Sequence, residues 1–312
     1  GNKMREEVSK VTLAGLSREE VYQRQLITDA ANSPDPSELP FNDSQRRAFT
    51  TIYEACNNDE RRNTIYFVDG PGGTGKTYVF NALLDAVRRN GDIAIAVASS
   101  GTAALLLRGG RTAHSTFKIP IKIEQHSQCN FNHGSAVARL IQSAKLIIWD
   151  EASMIRKDVI NAVDRSFREI LRIEDPMNDD IPFGGKLIVF GGDFRQVLPV
   201  VPRGSKTDII SQCINQMEMW TEVGILPLTE NMRVNQALTG NNPALASHLQ
   251  RFTDFLLSIG NGTAPTILDS QYTRVPDNMI LPVSTSAELS RRVFNNFSTK
   301  HDVSPSVLAG RA

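Results

Sequence analysis

The sequence predicts an α/β domain, a parallel sheet with helices on both faces, and three observations predict it. Short apolar runs alternate with helical patterns, the runs are continuously apolar instead of alternating, and one run leads through a glycine-rich turn into a helix. The runs are 64–68, 93–98, 146–149, 186–190 and 224–228; the helical patterns are 76–89, closed by Asn90-Gly91, then 136–144 and 158–171. Strands separated by helices need crossover connections, which makes neighbouring strands parallel. Ligands of such sheets bind at the carboxyl ends of the strands. Residues 175–180 read as a polar surface loop.

Composition narrows the class without choosing a partner. At 312 residues the chain is long enough for about two domains. Thirty-four Lys plus Arg balance 34 Asp plus Glu, and 40% hydrophobic residues exclude a disordered chain. Cys56, Cys129 and Cys213 are odd in number and far apart, which argues against a disulfide scaffold and for a reducing, intracellular setting. No run approaches the ~20 apolar residues of a membrane helix. The opening Gly1-Asn2-Lys3-Met4 has no basic-then-apolar signal pattern, and a first residue other than Met suggests a processed fragment. Residues 1–38 are expected to be a charged helical linker segment, with one or two amphipathic helices in 8–27 ended by Ser33-Pro34-Asp35-Pro36-Ser37, and a folded domain from Leu39.

Gly70-Pro71-Gly72-Gly73-Thr74-Gly75-Lys76-Thr77 fits the phosphate-loop pattern, follows a strand and opens a helix. Glycines let backbone N–H groups converge on phosphate oxygens, and the helix N-terminus adds positive potential. Lys76 is placed for the β/γ-phosphates and Thr77 for Mg²⁺, so the cofactors are ATP and Mg²⁺. A chance glycine turn is the alternative, and the strand–turn–helix context disfavours it.

The run 145–149 ends in Asp150-Glu151, two carboxylates where a buried strand emerges at the ligand edge. Asp150 is expected to hold Mg²⁺ and Glu151 to polarise the attacking water; a surface acidic pair capping a helix is the alternative. The run 186–190 leads to Gly191-Gly192-Asp193-Phe194-Arg195-Gln196, whose Gln196 is a candidate γ-phosphate sensor.

Together with Ala98-Ser99-Ser100-Gly101-Thr102, Gly110-Arg111-Thr112-Ala113-His114, Gly192-Asp193-Phe194-Arg195-Gln196-Val197-Leu198-Pro199 and Leu228-Thr229-Glu230-Asn231-Met232-Arg233, this ordered set resembles the petite-integration-frequency (Pif) family of superfamily 1 helicases. The likeness spans roughly 39–300 and is nearest the eukaryotic branch that includes Helitron transposon helicase domains. It implies a RecA-like P-loop NTPase domain over 39–227, with a small wedge insertion near 118–134, and an incomplete second RecA-like domain over 228–312. It implies that Gln45 reads adenine, that Gln196 couples the γ-phosphate to DNA and that Arg233 is an arginine finger. The implied activity is ATP-driven 5′-to-3′ translocation on single-stranded DNA and unwinding at single-strand/duplex junctions. The implied setting is a monomer in the nucleus, or the mitochondrion, serving DNA repair, recombination, telomere maintenance or Helitron transposition.

Between Gly101 and Ile148 six basic residues face one acidic residue, a net +5 in a neutral chain. Backbone-tracking grooves combine basic side chains, small polar groups and aromatic faces, so Ser100, Thr102, Arg111, Thr112, His114 and Phe117 are the candidate DNA contacts. For each, helix capping or core packing is the alternative. His126, Cys129 and His133 have zinc-like spacing without an evident fourth ligand nearby except His114. Met217, Met219 and Trp220 are expected on a core face. Only 79 residues follow Arg233, and the family's late motifs are missing from them, so the chain is expected to be a fragment cut near Gly310. A catalytically inactive DNA-binding remnant and an unrelated NTPase acting on proteins are the rival readings.

Overall fold

A computed structural model describes residues 17–58, 64–240, 243–267 and 272–293. Its centre is a six-stranded sheet, all parallel, ordered β3-β2-β4-β5-β1-β6. The strands are β1 (Ile65–Asp69), β2 (Ile93–Ala98), β3 (Arg111–Thr112), β4 (Ala144–Asp150), β5 (Ile188–Gly192) and β6 (Gly224–Pro227). The expected α/β class holds, and five of the strands lie on the apolar runs. The sixth, β3, is a two-residue edge pairing too short to leave a pattern in the sequence.

Alternate residues of each strand face opposite cores, as the period of two dictates. Ile65, Phe67, Ile95, Val97, Ile147, Trp149, Ile188 and Phe190 face one cluster; Tyr66, Val68, Ala94, Ala96, Ile148 and Val189 face the other. Helices α2 (Asp43–Asn57) and α3 (Lys76–Arg89) supply the second cluster, while α6 (Ala136–Ser143) and α7 (Lys157–Leu171) supply the first. The short helices α4 (Gly101–Leu106) and α5 (Ala113–Phe117) follow β2 and β3. Met217 is buried and Trp220 packs edge-on to Phe67, with ring centroids 5.3 Å apart, as expected for a core face. Residues 175–180 are not wholly surface: Asn178 is buried, and its side-chain amide donates to the Leu171 carbonyl at 3.0 Å. All three cysteines are buried and unpaired, and burial pushes the Cys56 thiol up to about 12 and Cys129 up to about 11.

The segment expected as a linker contains α1 (Arg18–Ala31), started by a capping box between Ser17 and Glu20. It docks beside the sheet. Glu20 pairs with Arg139 at 3.1 Å, Glu19 pairs with Arg111, and Leu26 lies against Gly109. Hydrogen bonds from Arg139 and Ser17 hold the Glu20 carboxyl down at about 2.

The chain divides into two compact units at 257/258. In the first unit Leu228 is buried and its N–H donates to the Asp69 carbonyl at 2.7 Å, and the Met232 N–H donates to the Gly73 carbonyl at 2.9 Å. Helix α8 (Lys206–Ser211) precedes β6, and α9 (Met232–Thr239) and α10 (Pro243–Gly260) follow it. In the second unit the described residues form an isolated bridge between Thr266 and Thr273 and helix α11 (Ser286–Val293). Among the described residues there is no second sheet, and no helix is long and apolar enough to cross a membrane.

Phe117 corrects the expected DNA contacts. It is fully buried, 5.9 Å from Trp149 and 5.3 Å from Phe167 between ring centroids. A five-residue helix leaves no periodicity by which sequence could assign its inner face. Phe117→Ala is therefore expected to cost about 3–5 kcal/mol of folding stability, measured by urea denaturation. Unchanged stability would contradict the core assignment.

Candidate nucleotide site

Four adjacent strands, β4, β5, β1 and β6, end at one edge in aligned register. Asp69 stands opposite Gly192 on one side and Pro227 on the other, and Trp149 stands opposite Phe190. A cleft of about 760 Å³ opens there, and Gln45, Lys76, Thr77, Asp150, Glu151, Gln196 and Arg233 all line it. The sequence candidates for nucleotide chemistry are thus brought together from positions up to 188 residues apart. A larger groove of about 840 Å³ beside Phe49, Tyr53 and Arg89 has no glycine loop and no lysine, so size alone does not locate the site.

The loop between β1 and α3 is tight. Pro71, Gly72, Gly73 and Gly75 face the cleft, whereas Thr74 is buried and its hydroxyl donates to the Pro71 carbonyl at 2.9 Å. Gly75 has φ +86°, which favours glycine, and a Cβ there would displace the Gln45 amide, whose Nε2 would lie 2.5 Å away. Lys76 is buried, its Nζ resting on the Gly70 carbonyl at 2.5 Å. That carbonyl holds the ammonium inside the loop, pointed where phosphate oxygens bind.

Gln45 has a structural job the sequence did not reveal. Its Oε1 accepts from the Asn42 N–H (3.2 Å), completing a capping box, while Nε2 donates to the Thr74 carbonyl (3.0 Å). One N–H and one lone pair of the amide remain uncommitted by these two bonds. The Asn42-x-x-Gln45 spacing is the signal that could have found the cap.

Asp150 is buried, and its Oδ1 accepts the Glu151 N–H at 2.8 Å. Burial pushes its carboxyl up to about 6, which that N–H and Lys76 only partly oppose. Such an under-neutralised carboxylate beside a phosphate loop fits a divalent cation. Glu151 has φ +55°, and Ser99 Oγ donates to its carbonyl at 2.7 Å while accepting from Trp149 Nε1 at 3.2 Å. Ser99, unassigned from sequence, thus fixes the turn that aims Glu151. Tyr78, Leu106 and Gln236 also line the cleft and carry no motif by which sequence could find them; Met232, which neighbours Arg233 in its motif, lines it too.

Gln196 Nε2 donates to Asp193 Oδ2 at 3.0 Å and lies 3.7 Å from where a Cβ on Gly72 would be. Arg233 is exposed, and its side chain runs along Gly73. Burial favours a protonated Asp193, yet hydrogen bonds from Arg195 and Gln196 outweigh it and hold the carboxyl below its usual range.

The candidate DNA residues lie outside this cleft, and several are occupied. Ser100 and Thr112 cap α4 and α5, accepting from the Ala103 and Ser115 N–H groups. Thr102 is exposed, and half-buried His114 is held below its usual value by burial. Arg111 pairs with Glu19 and stacks over Tyr22 at 4.6 Å. The local +5 is largely neutralised: Arg108 pairs with Asp85, Arg139 with Glu20 and Lys145 with Asp92. Counting charge along the chain overlooked partners that the fold supplies. Among the described residues, no group of three His, Cys, Asp or Glu side chains could hold a metal, so His126, Cys129 and His133 form no zinc site.

The glycine loop between β1 and α3 and the parallel sheet define a P-loop fold of the RecA-like class. The family model for PIF1-like helicases matches residues 40–270, and the chain belongs to that family. It is 29% identical over 167 residues to the ATP-dependent DNA helicase PIF4 of Trypanosoma brucei brucei, covering 52% of this chain and 19% of that protein. It is 32% identical over 140 residues to the ATP-dependent DNA helicase Pif1 of a Psychrobacter species, covering 44% and 20%. A structure of Bacteroides Pif1 bound to single-stranded DNA superposes with TM-score 0.54 at 25% identity, over 73% of this chain and 48% of that one. Candida albicans Pif1 shares the fold, with TM-score 0.53 at 21% identity over 83% and 55%. The chain spans about a fifth of the length of those two curated relatives.

Because burial raises Asp150 from 3.8 to about 6, its ionised form costs the metal-free fold on the order of 2–3 kcal/mol. The stability this group contributes is present below about pH 4 and lost as pH rises through 6. In EDTA, Asp150→Asn is expected to raise Tm at pH 7.5 by about 4 °C, with the gain shrinking towards pH 4. A lower Tm for the variant at pH 7.5 would contradict this.

Proposed function

We propose that this chain carries the ATP-hydrolysing part of a 5′-to-3′ DNA helicase. The observation that carries the reading is the convergence of the phosphate loop, Asp150, Glu151, Gln196 and Arg233 on one cleft at four neighbouring strand ends. The glycine loop binds the phosphates through backbone N–H groups, and Lys76 leaves the Gly70 carbonyl to meet the β/γ oxygens. Thr77 and Asp150 would hold Mg²⁺, which when bound neutralises phosphate charge. Glu151, held by Ser99, accepts the proton of the attacking water. Gln196 senses the γ-phosphate, and Arg233, exposed along the loop, swings onto the transition-state charge. Gln45 reads adenine with its spare donor and acceptor.

Single-stranded DNA and its junctions with duplex are the proposed substrates, reached through Ser100, Thr102, Thr112 and His114 at the ends of β2 and β3. Arg111 joins them once released from Glu19. The segment near 118–134, where Ile121 is 96% exposed, is the proposed wedge. Polarity, monomeric action, nuclear or mitochondrial residence, and service in repair, recombination, telomere maintenance or Helitron transposition rest on the family likeness.

The test is nucleotide binding and hydrolysis by this chain with and without oligo(dT) at two salt concentrations. Lys76→Ala is expected to weaken nucleotide binding at least about tenfold, and Glu151→Gln to keep binding while hydrolysis falls at least about a hundredfold. DNA stimulation that fades with salt supports the helicase reading. Unchanged hydrolysis in Glu151→Gln would sink the catalytic assignment, and ATP binding without any response to DNA would favour an inactive remnant.

A further inference from the structure

Two charged residues that the mechanism does not use bridge the phosphate loop to the proposed γ-phosphate sensor. Asp69 is the last residue of β1, and its neighbour Gly70 provides the carbonyl on which Lys76 rests. Arg195 directly precedes Gln196. Its Nη2 donates to Asp69 at 3.2 Å (Oδ1) and 3.3 Å (Oδ2), while its Nε donates to Asp193 Oδ1 at 2.7 Å. The other oxygen of Asp193 accepts Gln196 Nε2 at 3.0 Å. The Gly70 N–H meets the Gly192 carbonyl at 3.4 Å, so loop and sensor are also tied through the backbone.

We propose that Asp69 and Arg195 are positioning residues that set Gln196 against the phosphate loop and thereby let the site distinguish a nucleoside triphosphate from a diphosphate. The inference rests on the nucleotide-site reading above. A glutamine amide on an irregular segment has two free torsions and a broad terminal one. Asp193 pins its nitrogen, but Asp193 is itself a buried carboxylate that needs a cation to stay ionised and oriented. Arg195 supplies the charge with a planar fork that also grips Asp69, which lysine could not match at both carboxylates. Asp69 therefore decides where the fork, Asp193 and the Gln196 amide stand relative to the loop that receives the phosphates. A displaced Gln196 would lose contact with the γ-phosphate alone, leaving the α- and β-phosphate contacts of the loop intact.

The experiment is titration of the full chain with fluorescent ADP and ATPγS, each with Mg²⁺, for wild type, Asp69→Asn, Arg195→Met, the double variant and Arg195→Lys. In Arg195→Met the ATPγS affinity is expected to fall about tenfold while ADP affinity stays within about twofold. Asp69→Asn, nearly isosteric, should show the same selective loss more weakly. The double variant should be no worse than Arg195→Met, because both residues act through one chain of bonds. Arg195→Lys should recover only part of the discrimination. An unchanged ATPγS-to-ADP ratio, or an equal loss for both nucleotides, would overturn the proposal, the latter marking the brace as merely structural. A wild-type chain that bound both nucleotides equally would also overturn it. A wild-type chain that bound neither would instead refute the nucleotide-site reading itself.

Discussion

A strand buried on both faces of a parallel sheet has one place to present polar chemistry, its carboxyl end. Everything else in this domain depends on that constraint. Because β4, β5, β1 and β6 are hydrogen-bonded neighbours in aligned register, their exits deliver a carboxylate pair, a glutamine, a phosphate loop and an arginine to one cleft. The two cores behind the edge fix these exits; Phe67 and Phe190 on one face and Val68 and Val189 on the other leave the strands no freedom to slip. Rigid strands with polar groups at their ends give the preorganisation that the proposed phosphoryl transfer needs.

The polar residues at that edge are held by local bonds that each leave capacity for a ligand. Lys76 rests on Gly70, Gln45 uses half of its amide in a cap, and Asp150 keeps an oxygen beyond the Glu151 N–H. The raised pKa of Asp150 shows the cost of that arrangement, a buried charge without full compensation, which perturbed groups at functional sites commonly carry. Asp193 shows the opposite solution, with Arg195 and Gln196 saturating it.

Legibility in the sequence followed the range of the interactions. The phosphate loop, the Asp150-Glu151 strand end and five of six strands depend on neighbours a few residues away, and pattern finds them. Phe117 was misread because its burial depends on Trp149 and Phe167, far along the chain. The basic stretch was over-read for the same reason: Glu19, Glu20, Asp85 and Asp92 come from elsewhere to pair with it. Ser99 and Arg195 lie within motifs, but the motifs do not give their partners: a hydroxyl or an ion pair acquires its role only once β2 stands beside β4 and β1 beside β5. The docking of α1 through those same distant pairs, and the packing of Leu228 and Met232 on β1 and its loop, likewise left no local pattern.

Amide hydrogen exchange of this chain with and without ATPγS and Mg²⁺ tests the central claim most directly. The account predicts protection concentrated in 70–77, 150–151, 193–196 and 231–233, four segments far apart in sequence that the sheet edge brings together. Protection confined to 70–77, or appearing chiefly elsewhere, would contradict it.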